Sequence, residues 1–242
     1  RHQKNVFESK LRFFTNIAHE FCTPLTLIYG PCGRILSSKG LSKFVADYVQ
    51  MIQTNAERLN NLIHELIEFR RIETGNREVR VESLNVSSIM KGIAKTFVEM
   101  AKSRNITFLS KIPEQVMWNS DKGFLNTIII NLISNAFKYT PNGKMITVFI
   151  REDEGTVSVG VQDQGIGIAE NKRKSLFVRF ENLVDKNIFN QASSGIGLSL
   201  VKELVEMHKA TISVDSRLGE GSCFKVDFLK GKEHYNSSVE FI

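Results

Sequence analysis

From Phe7 onward the apolar side chains Leu11, Phe14, Ala18, Phe21, Leu25, Ile28, Cys32 and Ile35 recur at spacings that alternate four and three. That rhythm keeps one stripe along an α-helix and predicts a bundle or coiled-coil seam. Ser37-Ser38-Lys39-Gly40 interrupts it. A second helical stretch from about Phe44 to Ile72 then carries Tyr48, Ile52, Leu59, Leu62, Leu66 and Phe69 at similar intervals. The two stretches read as a helical hairpin. Two helices alone leave much apolar surface in water, so pairing with a second copy into a four-helix bundle is the simplest way to cover it. A homodimer is expected.

Past Thr74-Gly75-Asn76 the pattern shifts to short β-rich runs between helices. Strands are expected over 77–85, 106–109, 116–118, 144–151, 156–163, 211–214 and 222–228, and helices over 87–103, 122–139 and 198–208. This predicts mixed α/β structure, with one sheet backed by helices. The expected domains are 1–76, 77–230, and a tail or linker over 231–242.

Composition narrows the class. The densest apolar stretch, Thr127 to Ile133, falls far short of the ~20 residues that cross a bilayer. No membrane-spanning part is therefore expected in this segment. The chain starts at Arg1 without a signal peptide, which suggests an excised piece of a longer protein with any sensory part outside it. Cys22, Cys32 and Cys223 form no CxxC pair or disulfide framework, which fits a reducing, cytoplasmic setting. The net charge of +6 arises from 32 basic and 26 acidic residues dispersed along the chain. Such a balance favours phosphates or an acidic partner. No DNA-binding signature accompanies it, so direct nucleic-acid contact is not expected.

Several runs carry chemistry. His19 lies in Phe14-Thr15-Asn16-Ile17-Ala18-His19-Glu20-Phe21-Cys22-Thr23-Pro24, one position past a stripe residue and so about 100° round the helix, at the edge of the seam. A neutral imidazole there has a lone pair able to attack phosphorus, whereas protonation silences it. The bland alternative is an ordinary surface histidine. Pro24 removes an amide donor and should bend the helix just after His19. A His19–Cys22 metal pair or nucleophile lacks an organised third partner.

Asn131-Leu132-Ile133-Ser134-Asn135-Ala136-Phe137-Lys138-Tyr139-Thr140-Pro141 puts two carboxamides four apart on one helix face, a suitable pair of hard oxygen ligands for Mg²⁺. Lys138 can neutralise phosphate, and Tyr139 offers an aromatic surface. Asp163-Gln164-Gly165-Ile166-Gly167-Ile168 ends a strand with a carboxylate able to accept from an adenine amino group, followed by glycines that admit a ligand to the backbone. Ser194-Gly195-Ile196-Gly197-Leu198 opens a helix whose free amides suit phosphates. The third glycine of a dinucleotide fingerprint and any GxxxxGK[ST] are both missing, so neither a Rossmann nor a P-loop site is supported.

In order and spacing these runs resemble the sensor histidine kinases of two-component signalling, over nearly the whole chain. The resemblance implies an all-α hairpin forming a dimeric four-helix bundle, followed by an α/β sandwich of the Bergerat ATP-binding type. It implies catalytic roles for His19 as phosphoacceptor, Glu20 as its hydrogen-bonding base and Thr23 as the residue orienting a water for dephosphorylation. ATP and Mg²⁺ would be held by Asn131, Asn135, Lys138, Tyr139, Asp163, Gly165, Gly167, Gly195, Gly197 and Leu198, with the two asparagines on the metal. Leu176 to Ser194 resembles the ATP lid, and Gly219 to Phe224 resembles the closing turn of the ATP-binding domain, with a structural role. Cys22 departs from the pattern, where a basic residue is usual. The stretch from Phe180 to Ser216 is similar to hybrid sensors of Bacteroides-type bacteria, which implies a cytoplasmic segment of an inner-membrane sensor and an aspartate on a response-regulator receiver as the next acceptor. The alternatives are a dimeric scaffold that binds nucleotide without catalysis and a clamp resembling the gyrase or chaperone branch of the same fold.

Overall fold

A computed structural model describes residues 25–38, 40–73, 79–173, 175–178, 197–231, 234–235 and 240–241. The chain divides into two compact units, Arg1–Arg77 and Glu78–Ile242.

In the first unit, residues 25–36 form α1 and Lys43–Glu73 forms α2. The serines that break the apolar pattern end α1 by bonding back to its last turn: Ser37 Oγ donates to the Gly33 carbonyl at 2.8 Å and Ser38 Oγ to that of Ile35 at 2.6 Å. Ser42 then caps α2, its Oγ accepting from Val45 N at 3.4 Å. Leu25, Ala56, Ile63 and Ile67 pack into one buried cluster, and Cys32 and Val49 are buried too. On α2, Val49, Ala56, Ile63 and Ile67 are thus buried, while the side chains of Leu62, Leu66 and Phe69 from the expected stripe lie outside the described ones. Of that expected stripe, Tyr48, Ile52 and Leu59 are exposed. Helix α2 carries two apolar lines, and the hairpin of one chain covers only one of them.

The second unit opens with β1 (Arg80–Asn85), α3 (Val86–Thr96), α4 (Val98–Ser103), β2 (Thr107–Lys111), β3 (Met117–Ser120) and α5 (Lys122–Tyr139). It continues with β4 (Met145–Glu152), β5 (Thr156–Asp163), α6 (Glu170–Arg173), α7 (Gly197–Met207), β6 (Thr211–Arg217), β7 (Gly221–Leu229) and β8 (Glu240–Phe241). The expected single helix over 87–103 is two, separated at Phe97, whose amide bonds back to Ala94 O at 3.0 Å. The expected single sheet is also two. Five strands run in the order β2-β4-β5-β7-β6, and three in the order β3-β1-β8. Strand periodicity does not say which runs pair. The segment expected to be a tail contributes the buried Tyr235 and the strand β8, which pairs in parallel with Arg80 and Val81 of β1.

Helix α5 lies at the centre of this unit. It buries Phe124, Leu125, Ile128, Ile129, Leu132, Ile133, Ala136 and Phe137, a wide apolar stripe that leaves the line of Asn131, Asn135 and Lys138 outside the core. Asp121 starts it: Oδ1 accepts from Phe124 N at 2.9 Å, while Oδ2 accepts from Arg80 N at 3.0 Å and ties the helix start to β1. Trp118 joins the two sheets through its indole N–H, which donates to Leu229 O at 3.1 Å. His208 fills the space beside it. Its Nδ1 lies 2.9 Å from Leu204 O, an acceptor only, so Nδ1 carries a proton, and its Nε2 lies 3.2 Å from Ser120 Oγ. Burial also lowers its pKa, and this histidine is a core residue.

Candidate functional site

The C-terminal half of α5, the end of β5 and the start of α7 converge on one place. Asp163 ends β5 almost fully buried, and its Oδ1 accepts from Gly165 N at 2.8 Å and Ser222 N at 3.2 Å. Desolvation pushes its carboxyl pKa up to about 6, against the pull of those two amides. Among the described residues Oδ2 has no donor. The carboxylate is thus fixed on one side and open on the other.

The turn after Asp163 is held against α5 and the β6–β7 turn. Ile166 N donates to Tyr139 O at 3.2 Å, Gly219 N donates to Ile166 O at 2.7 Å, and Ile168 N donates to Ser216 Oγ at 2.9 Å. Gln164 and Met145 exchange bonds, Gln164 N to Met145 O at 3.0 Å and Met145 N to Gln164 Oε1 at 3.1 Å. Arg173 adds a bond from its guanidinium to Ser216 O. Ser216 Oγ also donates to Gly221 O at 2.9 Å and lies 2.8 Å from Ser222 Oγ. A hydroxyl has one proton and two lone pairs, so Ser222 must be the donor in that last bond. Ser216 and Ser222 thus belong to the site through Asp163 and its turn. Sequence reasoning missed Ser216 entirely and left Ser222 in a merely structural turn. The run Gly219-Glu220-Gly221-Ser222 was the only available signal.

Asn131 meets the start of α7. Its Nδ2 donates to Thr127 O at 2.9 Å, which turns the carboxamide oxygen outward. A Cβ at Gly197 would lie 2.6 Å from that oxygen, so any larger residue there would displace the carboxamide. Asn135, one turn on, is half-buried, and its carboxamide has no hydrogen bond among the described residues. This donor set fits Mg²⁺: an oriented amide oxygen and a second one available on the same helix face. Lys138 Nζ sits 5.3 Å from the centre of the Tyr139 ring, and both side chains are half-buried at the end of α5. Leu198 is half-buried in the first turn of α7.

The structure thus brings Asn131 to Gly197, Tyr139 to the Gly165–Gly167 turn, and Asp163 to Gly165 and Ser222. His19, Glu20, Thr23 and Gly195 lie outside the described residues, as do Cys22, Pro24 and most of the expected lid.

Two family profiles cover most of the chain. Residues 9–75 match the His Kinase A phospho-acceptor domain, and residues 120–232 match the histidine kinase-, DNA gyrase B-, and HSP90-like ATPase. The chain belongs to the histidine kinases. This kinase core is 36% identical to Histidine kinase P4 of Formosa agariphila over 97% of its own length and 17% of the relative's. It is 32% identical to the sensor histidine kinase TmoS of Ectopseudomonas mendocina, covering 92% of the chain and 23% of that protein. With the circadian input-output kinase CikA of Synechococcus elongatus it shares 34% identity, over 90% of the chain and 30% of the relative. The kinase core thus spans less than a third of each of these relatives. In fold it is similar to full-length ShkA in complex with AMPPNP, with a TM-score of 0.73 at 22% identity, over 91% of the chain and 46% of ShkA. It is also similar to the catalytic domain of ThkA, with a TM-score of 0.55 at 22% identity, over 62% of the chain and 97% of that domain. The helical first unit and the two-sheet α/β second unit are those of a histidine kinase core. Among the described residues, no helix is long and apolar enough to cross a membrane.

Proposed function

We propose that this kinase core binds ATP with Mg²⁺ beside α5 and transfers the γ-phosphoryl group to His19, from which it passes to an aspartate of a response-regulator receiver. The observation that carries the reading is Asp163. Its carboxylate is buried, tied by two backbone amides through one oxygen and open at the other, where an adenine amino group can donate. The Gly165 turn holds Tyr139 alongside, and the amides opening α7 suit the triphosphate. Asn131 and Asn135 would hold Mg²⁺, which supplies charge neutralisation to the phosphate oxygens. Lys138 adds a positive charge on the same side.

In the transfer, a ring nitrogen of His19 forms the new bond to phosphorus, the bond to the ADP oxygen breaks, and Glu20 takes up the ring proton. Only the neutral ring is a nucleophile, so protonation of His19 stops the step. Thr23, one turn beyond, would orient a water when a phosphorylated receiver is dephosphorylated. Hybrid architecture, a receiver in the same polypeptide and attachment to an inner-membrane sensor all belong to the longer protein that this reading implies. Appearance of the γ-phosphoryl group on His19 tests the function.

The same reading gives the second apolar line of α2 its role. Phe44, Tyr48, Met51, Ile52 and Leu59 on α2, with Leu27, Ile28 and Ile35 on α1, are each more than 40% exposed, too many large apolar side chains for a free surface. A second copy covers them in a four-helix bundle. The double variant Ile52→Asp/Leu59→Asp is expected to sediment as a monomer where the parent sediments as a dimer. A monomeric parent at micromolar concentration would remove the bundle from the account.

A further inference from the structure

We propose that Arg104 is a positioning residue for the nucleotide site, clamping the last turn of α5 so that Lys138 and Tyr139 face the ligand. The inference rests on the ATP-binding reading above. Arg104 stands far from that site in sequence, directly after α4, and its backbone is fixed there. Asn105 takes the left-handed conformation at φ 51°, Ile106 N donates to Ala101 O at 2.8 Å, and Asn105 N donates to Lys102 O at 3.1 Å. This is a Schellman-type helix stop, which aims the following strand and Arg104 alike.

The side chain then spends its donors on one target. One Nη donates to Phe137 O, the other to Thr140 O at 2.5 Å, and Nε donates to Asn142 Oδ1 at 2.9 Å. The Arg104 carbonyl in turn accepts from Gly143 N at 3.3 Å. The whole turn from Phe137 to Gly143 is therefore gripped by one residue. Carbonyls at the end of a helix lack intrahelical partners and carry the negative end of its dipole, so a fixed guanidinium fork suits them better than water or a lysine.

The position of the grip makes it relevant to the ligand. Ala136 O is taken by Thr140 N at 3.0 Å and Tyr139 O by Ile166 N at 3.2 Å. Arg104 takes the carbonyls on either side of the Lys138–Tyr139 pair. Those two residues are thereby held between the Asp163 turn and the Arg104 fork. The Tyr139–Ile166 bond fastens one side of that turn to the Asp163 turn, and the Arg104 fork fastens the other to the end of α4.

The test measures ATP affinity and phosphorylation kinetics of the whole chain in Arg104→Gln and Arg104→Lys variants. Emission of the single tryptophan, Trp118, which is buried between the sheets, serves as the fold monitor. Loss of the three charge-assisted bonds, two of them to the carbonyls flanking Lys138 and Tyr139, should weaken ATP binding about tenfold in Arg104→Gln. Arg104→Lys should fall between it and the parent. KM for ATP should rise, the rate at saturating ATP should hold near the parent's, and Trp118 emission should not move. Equal ATP affinity in parent and Arg104→Gln, both with native emission, would overturn the proposal. If Arg104→Gln shows unfolded emission, Arg104→Lys decides: parental KM there overturns the clamp, and a raised KM with native emission supports it. A parent chain that binds no ATP would instead defeat the underlying reading, so the two failures are told apart.

Discussion

Asp163→Asn is expected to make the protein more stable and unable to hold its nucleotide. The carboxyl is almost fully buried, and its pKa is raised from 3.8 to about 6 chiefly by desolvation. An acid whose pKa is higher in the folded state favours folding while protonated, and that benefit is lost as pH climbs from 3.8 through about 6. At pH 7.5 the buried charge therefore costs about 3 kcal/mol. Asparagine removes the charge while keeping an oxygen for Gly165 N and Ser222 N. The melting temperature at pH 7.5 should rise by about 5 °C, and the gain should vanish near pH 4. Affinity for ATP should fall about 100-fold, because the adenine amino group then meets an amide whose only acceptor is already engaged. In the parent, ATP affinity should drop as pH is lowered through about 6. Calorimetric melts and ATP titrations of both proteins check this. An Asn variant that binds ATP normally would remove Asp163 from the site.

Gly167→Ala should destabilise the second unit severely. Gly167 has φ 65°, and a Cβ there would fall 1.8 Å from Arg217 O, a backbone atom held in β6. The left-handed conformation costs alanine about 1–2 kcal/mol, and the clash forces the two turns apart. That movement breaks the bonds from Gly219 N to Ile166 O and from Ile168 N to Ser216 Oγ. A total loss of about 4 kcal/mol is expected, with loss of ATP binding. Gly143 makes the comparison sharp, since its φ is 80° yet a Cβ there meets nothing within 4 Å. Gly143→Ala should cost only the conformational part. Paired thermal melts would separate the two, and equal destabilisation would mean that contact with Arg217 is not what excludes a side chain.

These positions also show what a sequence can reveal. Helix α5 and strand β5 are readable to the residue because their ends are punctuated, by Asp121 before the helix, Thr140-Pro141 after it and Gly155 before the strand. Asp163, Asn131 and Asn135 stand out because their chemistry is unusual at strand ends and on helix faces. Arg104 and Ser216 do not stand out, since their roles arise from bonds to chain segments 33 to 48 residues away. The buried line of α2 was hidden for another reason. Two apolar lines share one helix, and periodicity alone does not tell the line facing α1 from the line left outside. The split into two sheets was hidden likewise, because β1, β3 and β8 pair across most of the second unit.

The account stands on phosphoryl transfer from ATP to one histidine. The decisive measurement is to incubate the purified chain with γ-labelled ATP and Mg²⁺, digest it, and map the label. The expected result is an acid-labile label on the peptide containing His19, dependent on Mg²⁺ and absent from His19→Gln. ATP consumption without a phosphoprotein, or label on any other residue, would contradict it.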